Sequence, residues 1–205
     1  MFALIENQQI TKFYNSNKGV IIGDNQYPKS IFTLWSEAQR NAIGIFEVTV
    51  DTTNKKNEEW YINTNISYGV ESNKAVGSYG IATPKAHANT LWTEQDKTDG
   101  LIPDGKDVGD VKTEGLKTRL IRTIKQQAAG ELQKTDWYIV RKADAGTAVP
   151  SAITTHRAAF RTKAAEMETA ITNASDTPAL ETLYTYTITD DVQSRPLGEL
   201  PTLES

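Results

Sequence analysis

The chain of 205 residues contains no cysteine. Disulfides, thiolate nucleophiles and cysteine-based metal sites are therefore excluded, and stability must come from packing or from assembly with a partner. Histidine is almost as scarce: His87 and His156 are the only two, far apart in the sequence. A zinc site would have to be built mainly from carboxylates, an unfavourable donor set for that ion. There is also no apolar run of about eighteen residues, the length that spans a bilayer, and Met1-Phe2-Ala3-Leu4-Ile5 is cut by Glu6 too early for a signal peptide. No membrane association and no Sec export are expected.

The hydrophobic content of 38% is enough for a substantial core. Net charge is only -4, yet the charges are segregated. Lys112 to Lys163 carries 11 Lys/Arg against 4 Asp/Glu, whereas Ala164 to Ser205 carries 8 acids against Arg195 alone. The simplest consequence is mutual neutralisation, within the molecule or across a homo-oligomer. Nucleic-acid binding is not expected, because the basic stretch lacks interleaved stacking aromatics and any recognisable module.

Hydrophobic patterning divides the chain into a β-rich module (1–95), an Asp/Gly-rich linker (96–112), a helical hairpin (113–174) and an acidic extension (175–205). In the first, Phe2 to Ile5 and Ile10 to Tyr14 flank Asn7-Gln8 as a hairpin. Gly19 to Gly23 reads as a short strand, Leu34 to Ala42 as one helical stripe, and Phe46 to Val50 as a half-buried strand. Trp60 to Tyr68 alternates with Trp60, Ile62, Thr64 and Ile66 on one face, and Val70, Val76, Tyr79 and Ile81 suggest a further hairpin or bulged strand near a sheet edge. The 96–112 stretch holds five aspartates and three glycines. It lacks the residue order of a calcium loop, so its acids read as solvated.

From Thr113 to Lys134, Leu116, Leu120, Ile121, Ile124, Ala128 and Leu132 recur at helical spacing. Thr135-Asp136 interrupts the pattern, Trp137 to Val140 reads as an apolar plug, and Gly146 with Pro150 confines the rest to a loop. A second helix is expected from Ser151, as N-cap, to about Asn173. Its positions Ile153, Arg157, Phe160, Ala164, Met167, Ile171 and Ala174 form a heptad-like seam in which Arg157 is the misfit. The fold class predicted is α+β: a mostly antiparallel β module followed by an antiparallel helical hairpin.

Arg157 on an apolar seam needs a carboxylate, and Asp136 is the natural candidate. Two roles stay open for this region. Asp136 and Arg157 fix the hairpin register while Trp137 fills its end, or Trp137 and Arg157 form a partner-binding hot spot. No phosphate loop, nucleophile elbow or metal motif occurs, and carboxylate pairs such as Glu58-Glu59 and Asp190-Asp191 lie in polar contexts. Neither a cofactor nor catalysis is expected.

The order Thr135-Asp136-Trp137, a short apolar link, Pro150, then Arg157-Ala158-Ala159-Phe160-Arg161 resembles the C-terminal signature of bacteriophage tail-fibre assembly and tail assembly chaperone families. There, a helix ending in Thr-Asp-Trp precedes a helix with Tyr-Arg-x-x-Leu/Val-Arg. This chain has His156 at the tyrosine position, Phe160 at the apolar position and a longer insert, Tyr138 to Ala148. The opening Met1 to Asn7, with Phe32 and Phe46-Glu47-Val48, is similar to small tail-associated proteins of marine and cyanobacterial phages. The resemblance covers roughly residues 1–50 and 113–174. It implies a non-enzymatic protein that binds a phage tail fibre or baseplate protein and assists its folding in the host cytoplasm. The alternative it implies is a structural subunit of the tail or baseplate, retained in the virion. Asp136, Trp137, Arg141, Arg157, Phe160 and Arg161 are the partner-binding or hairpin-fixing candidates. A tail-associated glycan hydrolase would need a carboxylate pair in a cleft, which nothing in the sequence marks.

Overall fold

The computed structural model describes residues 1–202, and its chain divides into two compact units, Met1–Thr83 and Pro84–Ser205. The fold is α+β, with strands curled into a sheet in the first unit and helices dominating the second.

In the first unit β1 (Phe2–Glu6) and β2 (Gln9–Tyr14) form the expected hairpin. Its two-residue turn has both Asn7 and Gln8 at positive φ, the conformation whose twist matches the flanking strands. β3 (Val20–Ile22) and β4 (Asn25–Tyr27) make a second, small hairpin. The stripe expected over Leu34 to Ala42 is two helices, α1 (Ile31–Leu34) and α2 (Glu37–Ala42). The break falls where Ser36 starts a new helix by a reciprocal capping box with Gln39, leaving Leu34 exposed.

β5 (Ile45–Asp51) pairs antiparallel with β1. Of the strand expected over Trp60 to Tyr68, only β6 (Tyr61–Ile62) and the start of β7 (Ile66–Glu71) are extended in ladders. Trp60 is buried while Ile62 is exposed, so the expected common face does not exist. β7 turns through Ser72 and Asn73, both at positive φ, into β8 (Lys74–Tyr79). β8 lies parallel to β5, which completes the order β2-β1-β5-β8-β7.

The register places Ala3, Phe13, Phe46, Val48, Ala75, Gly77, Tyr68 and Val70 on one face. From opposite edges of the sheet, the rings of Phe13 and Tyr68 meet 4.9 Å apart, so the sheet curls with this face inside. Small residues on the central strands make the curl possible. A Cβ at Gly77 would stand 2.8 Å from the Tyr68 ring. The other face packs Phe2, Leu4 and Ile45 against Val20, Ile31 and Phe32, which is the core of this unit.

β9 (Thr83–Pro84) is where the chain passes from one unit to the next. The sequence boundary at 95/96 and the 96–112 linker are not what the second unit shows. β10 (Thr90–Leu91) pairs with β11 (Val111–Thr113), and between them α3 (Glu94–Thr98) is capped by Thr93 and Asp96 in a second capping box. Asp96 is the hub of this segment: it accepts from Thr93 and, at 2.5 Å, from Lys112, whose ammonium lies 4.6 Å from the Trp92 ring centre. These hydrogen bonds, the lysine first, hold the Asp96 carboxyl at about 2, below the usual 3.8. Because the folded value is depressed, its contribution is fully present above about pH 4 and is lost as pH falls toward 2. Acid unfolding followed by circular dichroism should therefore show Asp96→Asn less stable than the parent above pH 4 and converging with it near pH 2.

α4 (Leu116–Gln133) starts against the 86–89 segment. Its first amides donate to the carbonyls of Ala86 and His87, and Asn89 Oδ1 accepts from the Gly115 amide and the Thr118 hydroxyl. The approach is so close that a Cβ at Gly115 would sit 2.3 Å from the Ala88 carbonyl group. Gly115→Ala should cost about 1–3 kcal/mol, read as a lower denaturation midpoint.

α5 (Asp136–Ala145) is a helix where a plug and loop were expected. α6 (Ser151–Asn173) has the expected extent, but Pro150 is its N-cap residue and Ser151 its first helical residue. α4 and α6 are antiparallel: Lys117 reaches the Thr172 carbonyl, Lys125 pairs with Glu168, and Arg157 reaches the Leu132 carbonyl. All seven predicted seam positions from Ile153 to Ala174 are buried, facing Leu116, Leu120 and Ile124. α7 (Thr177–Tyr184), capped by Asp176, adds Leu180 to the core and leads to the hairpin of β12 (Thr187–Thr189) and β13 (Val192–Ser194). The Asp190-Asp191 pair forms its turn, both residues at positive φ. The acidic extension is tied down at Leu197, which is buried and whose amide donates to the Leu183 carbonyl; 203–205 lie outside the described residues.

Candidate partner-binding site

The two long helices bring Arg157 to the junction of α4 and α5. Its guanidinium donates to the Leu132 carbonyl at 2.7 Å, to the Thr135 hydroxyl at 2.6 Å and to Asp136 Oδ1 at 2.8 Å. Thr135 is buried, and Arg157 is only 6% exposed. The planar fork of donors ties the last carbonyls of one helix to the first residues of the next. The expected Asp136–Arg157 pair is thus formed, with Thr135 as a third member that the seam pattern gave no reason to include.

Trp137 does not fill the end of the hairpin. It is 51% exposed, because Asp136 starts a helix that carries the next side chains outward. The Trp137 and Tyr138 rings lie 3.8 Å apart, tilted by 31°, and the Arg141 guanidinium sits over both, 4.7 Å and 5.4 Å from their centres. Ile139 at 43% and Val140 at 66% are exposed on the same short helix, and no residue of α5 is buried. Ten residues make a marginal helix in water. This one is pinned at its first turn by Arg157 and closed by Gly146 at φ 68, with Trp137, Ile139 and Val140 exposed.

The remaining candidates separate from this group. Phe160 is a core residue on the α6 seam, with its ring 5.8 Å from that of His156. Arg161 is exposed on α6. His156 faces Glu131 at 3.6 Å, and Glu131 has its carboxyl lowered, chiefly by a hydrogen bond from Lys134. Several cations of the basic hairpin are neutralised locally, by Lys125–Glu168, Lys163–Glu166 and Arg122–Glu114.

No protein-family model, no curated protein and no solved structure matches this chain.

Trp137, Tyr138 and Arg141 are residue types that dominate protein–protein hot spots, here preassembled by stacking and cation–π attraction. Among the described residues, no group of three or more His, Asp or Glu is placed to hold a metal ion. The helical character of α5 had a signal in the sequence that the apolar pattern concealed: Thr135-Asp136 at its start and Gly146 after its end are ordinary helix boundary residues.

Proposed function

We propose that this chain is a non-enzymatic assembly protein of a bacteriophage tail, which binds a tail fibre or baseplate protein through α5 and assists its folding in the host cytoplasm. The observation that carries the binding role is the exposed Trp137, stacked with the half-buried Tyr138 and Arg141 and flanked by the exposed Ile139 and Val140, on a helix with no buried residue. Such a helix gains stability from a partner that covers it. The identity of the partner is supported by the resemblance of Thr135-Asp136-Trp137 and Arg157 to Arg161 to the tail-fibre assembly signature. Arg141 and Lys142 favour a client surface that is apolar with acidic neighbours.

The deciding experiment is quantitative mass spectrometry of purified particles of the encoding virus, together with affinity purification of the tagged chain from infected cells. Co-purification with an immature fibre and absence from particles is the expected result. Stoichiometric presence in particles would replace the chaperone role by that of a structural tail subunit. Absence from both would overturn the assignment to tail assembly.

A further inference from the structure

The curl of the first unit has a second outcome, at the end of the sheet where its hairpin turns lie. Because β2 and β7 approach from opposite edges, the Asn7-Gln8 turn comes beside the Ser72-Asn73 turn, and Gln8 Nε2 donates to Asn73 Oδ1 at 3.0 Å. Asn41, in the last turn of α2, joins them; with its amide oriented to suit its neighbours, the nitrogen donates to the carbonyls of Ile45 at 3.0 Å and Glu37 at 3.3 Å. Together with Ile5, Gly44 and Phe46 these residues line a cleft of about 400 Å³. Gly44, at φ +81, keeps the wall low: a Cβ there would meet Leu4 and the Ile5 carbonyl within 3.2 Å.

The composition of this lining is selective. Four of its seven residues carry amides, two are apolar, and none is charged. Phosphate, carboxylate and amine ligands would find no counter-charge here, and a purely apolar ligand would strand the amides without water. Amides offer a donor and an acceptor on one planar group, which matches adjacent hydroxyls that each donate and accept. Phe46 and Ile5 supply the apolar contact that the C–H face of a sugar ring needs. The Asn7 side chain, the Gln8 side-chain carbonyl oxygen and the Asn73 amide nitrogen make no hydrogen bond to other described residues, which leaves them available to a ligand.

We propose that this cleft is a binding site for a neutral saccharide, independent of α5 and its partner. The test is a titration of the full-length ¹⁵N-labelled chain with methyl glucoside, methyl galactoside and N-acetylglucosamine, with glycerol as the control polyol. Saturable shifts are expected with at least one sugar, at the Asn7, Gln8, Asn41 and Asn73 side-chain amides and the Gly44 and Phe46 backbone, with a dissociation constant of about 1 mM, typical of a small open site. Gln8→Gly and Asn73→Gly remove amides while leaving residues that favour the left-handed turn, so the fold survives and affinity should fall about tenfold. Equal shifts with glycerol, no saturable shift with any of the sugars, or affinity unchanged in both glycine variants would overturn the proposal.

Discussion

Arg157→Ala is expected to destabilise the second unit by about 3 kcal/mol, the low end for breaking a buried charged pair. The substitution removes three hydrogen bonds and leaves the buried Thr135 hydroxyl oxygen short of a donor, while the Leu132 carbonyl keeps the Thr135 amide and hydroxyl. The Asp136 carboxylate is 55% exposed and regains water, which is why the upper end of the range does not apply. Thermal melting should drop by about 10 °C. Arg157→Lys should recover little, because an ammonium on a flexible stem cannot fork to three acceptors at once. A loss below about 1 kcal/mol would mean that the guanidinium does not hold the junction of α4 and α5.

Trp137→Ala should do the opposite: leave melting within about 0.5 kcal/mol of the parent while weakening binding to the proposed client by about 30-fold. The indole is half exposed and contacts Tyr138 and Arg141 on its own helix, so little of the fold depends on it. Val140→Asp, which puts a carboxylate on the most exposed apolar position of α5, should weaken the complex further without unfolding the chain. Calorimetric titration against the fibre protein recovered by co-purification reads both. Melting that falls as far as in Arg157→Ala would make Trp137 a packing residue and remove α5 as the docking surface.

The α4 and α6 pair was readable because its apolar residues repeat at helical spacing over many turns, and the seam from Ile153 to Ala174 is buried throughout. Arg157 announced its own partner by being charged on that seam. What misled was local chemistry outweighing pattern. Tyr138-Ile139-Val140 favours strand by side-chain type, yet the Thr135-Asp136 start pinned by Arg157 and the left-handed Gly146 make it helical. The aspartate-rich 96–112 stretch looked like a linker because its order rests on caps and hydrogen bonds to Asp96, which hydrophobic periodicity does not register. In the first unit, the apolar and β-branched runs flanking Asn7-Gln8 identified β1 and β2 and alternation identified β5, but the parallel pairing of β5 with β8 has no sequence period and came only from the structure.

That parallel pairing governs the order in which the chain acquires its structure. The β1–β2 and β7–β8 hairpins close over two-residue turns and form on the microsecond scale, whereas Val48 must find Ala75 across the whole intervening segment. During synthesis β5 is made well before β8, so its free edge stays open until Lys74–Tyr79 has emerged. An uncovered strand edge is a template for pairing with other chains. The nascent first unit is therefore most exposed to misassociation in the interval between those two strands, and slowing translation between residues 52 and 73 would prolong it.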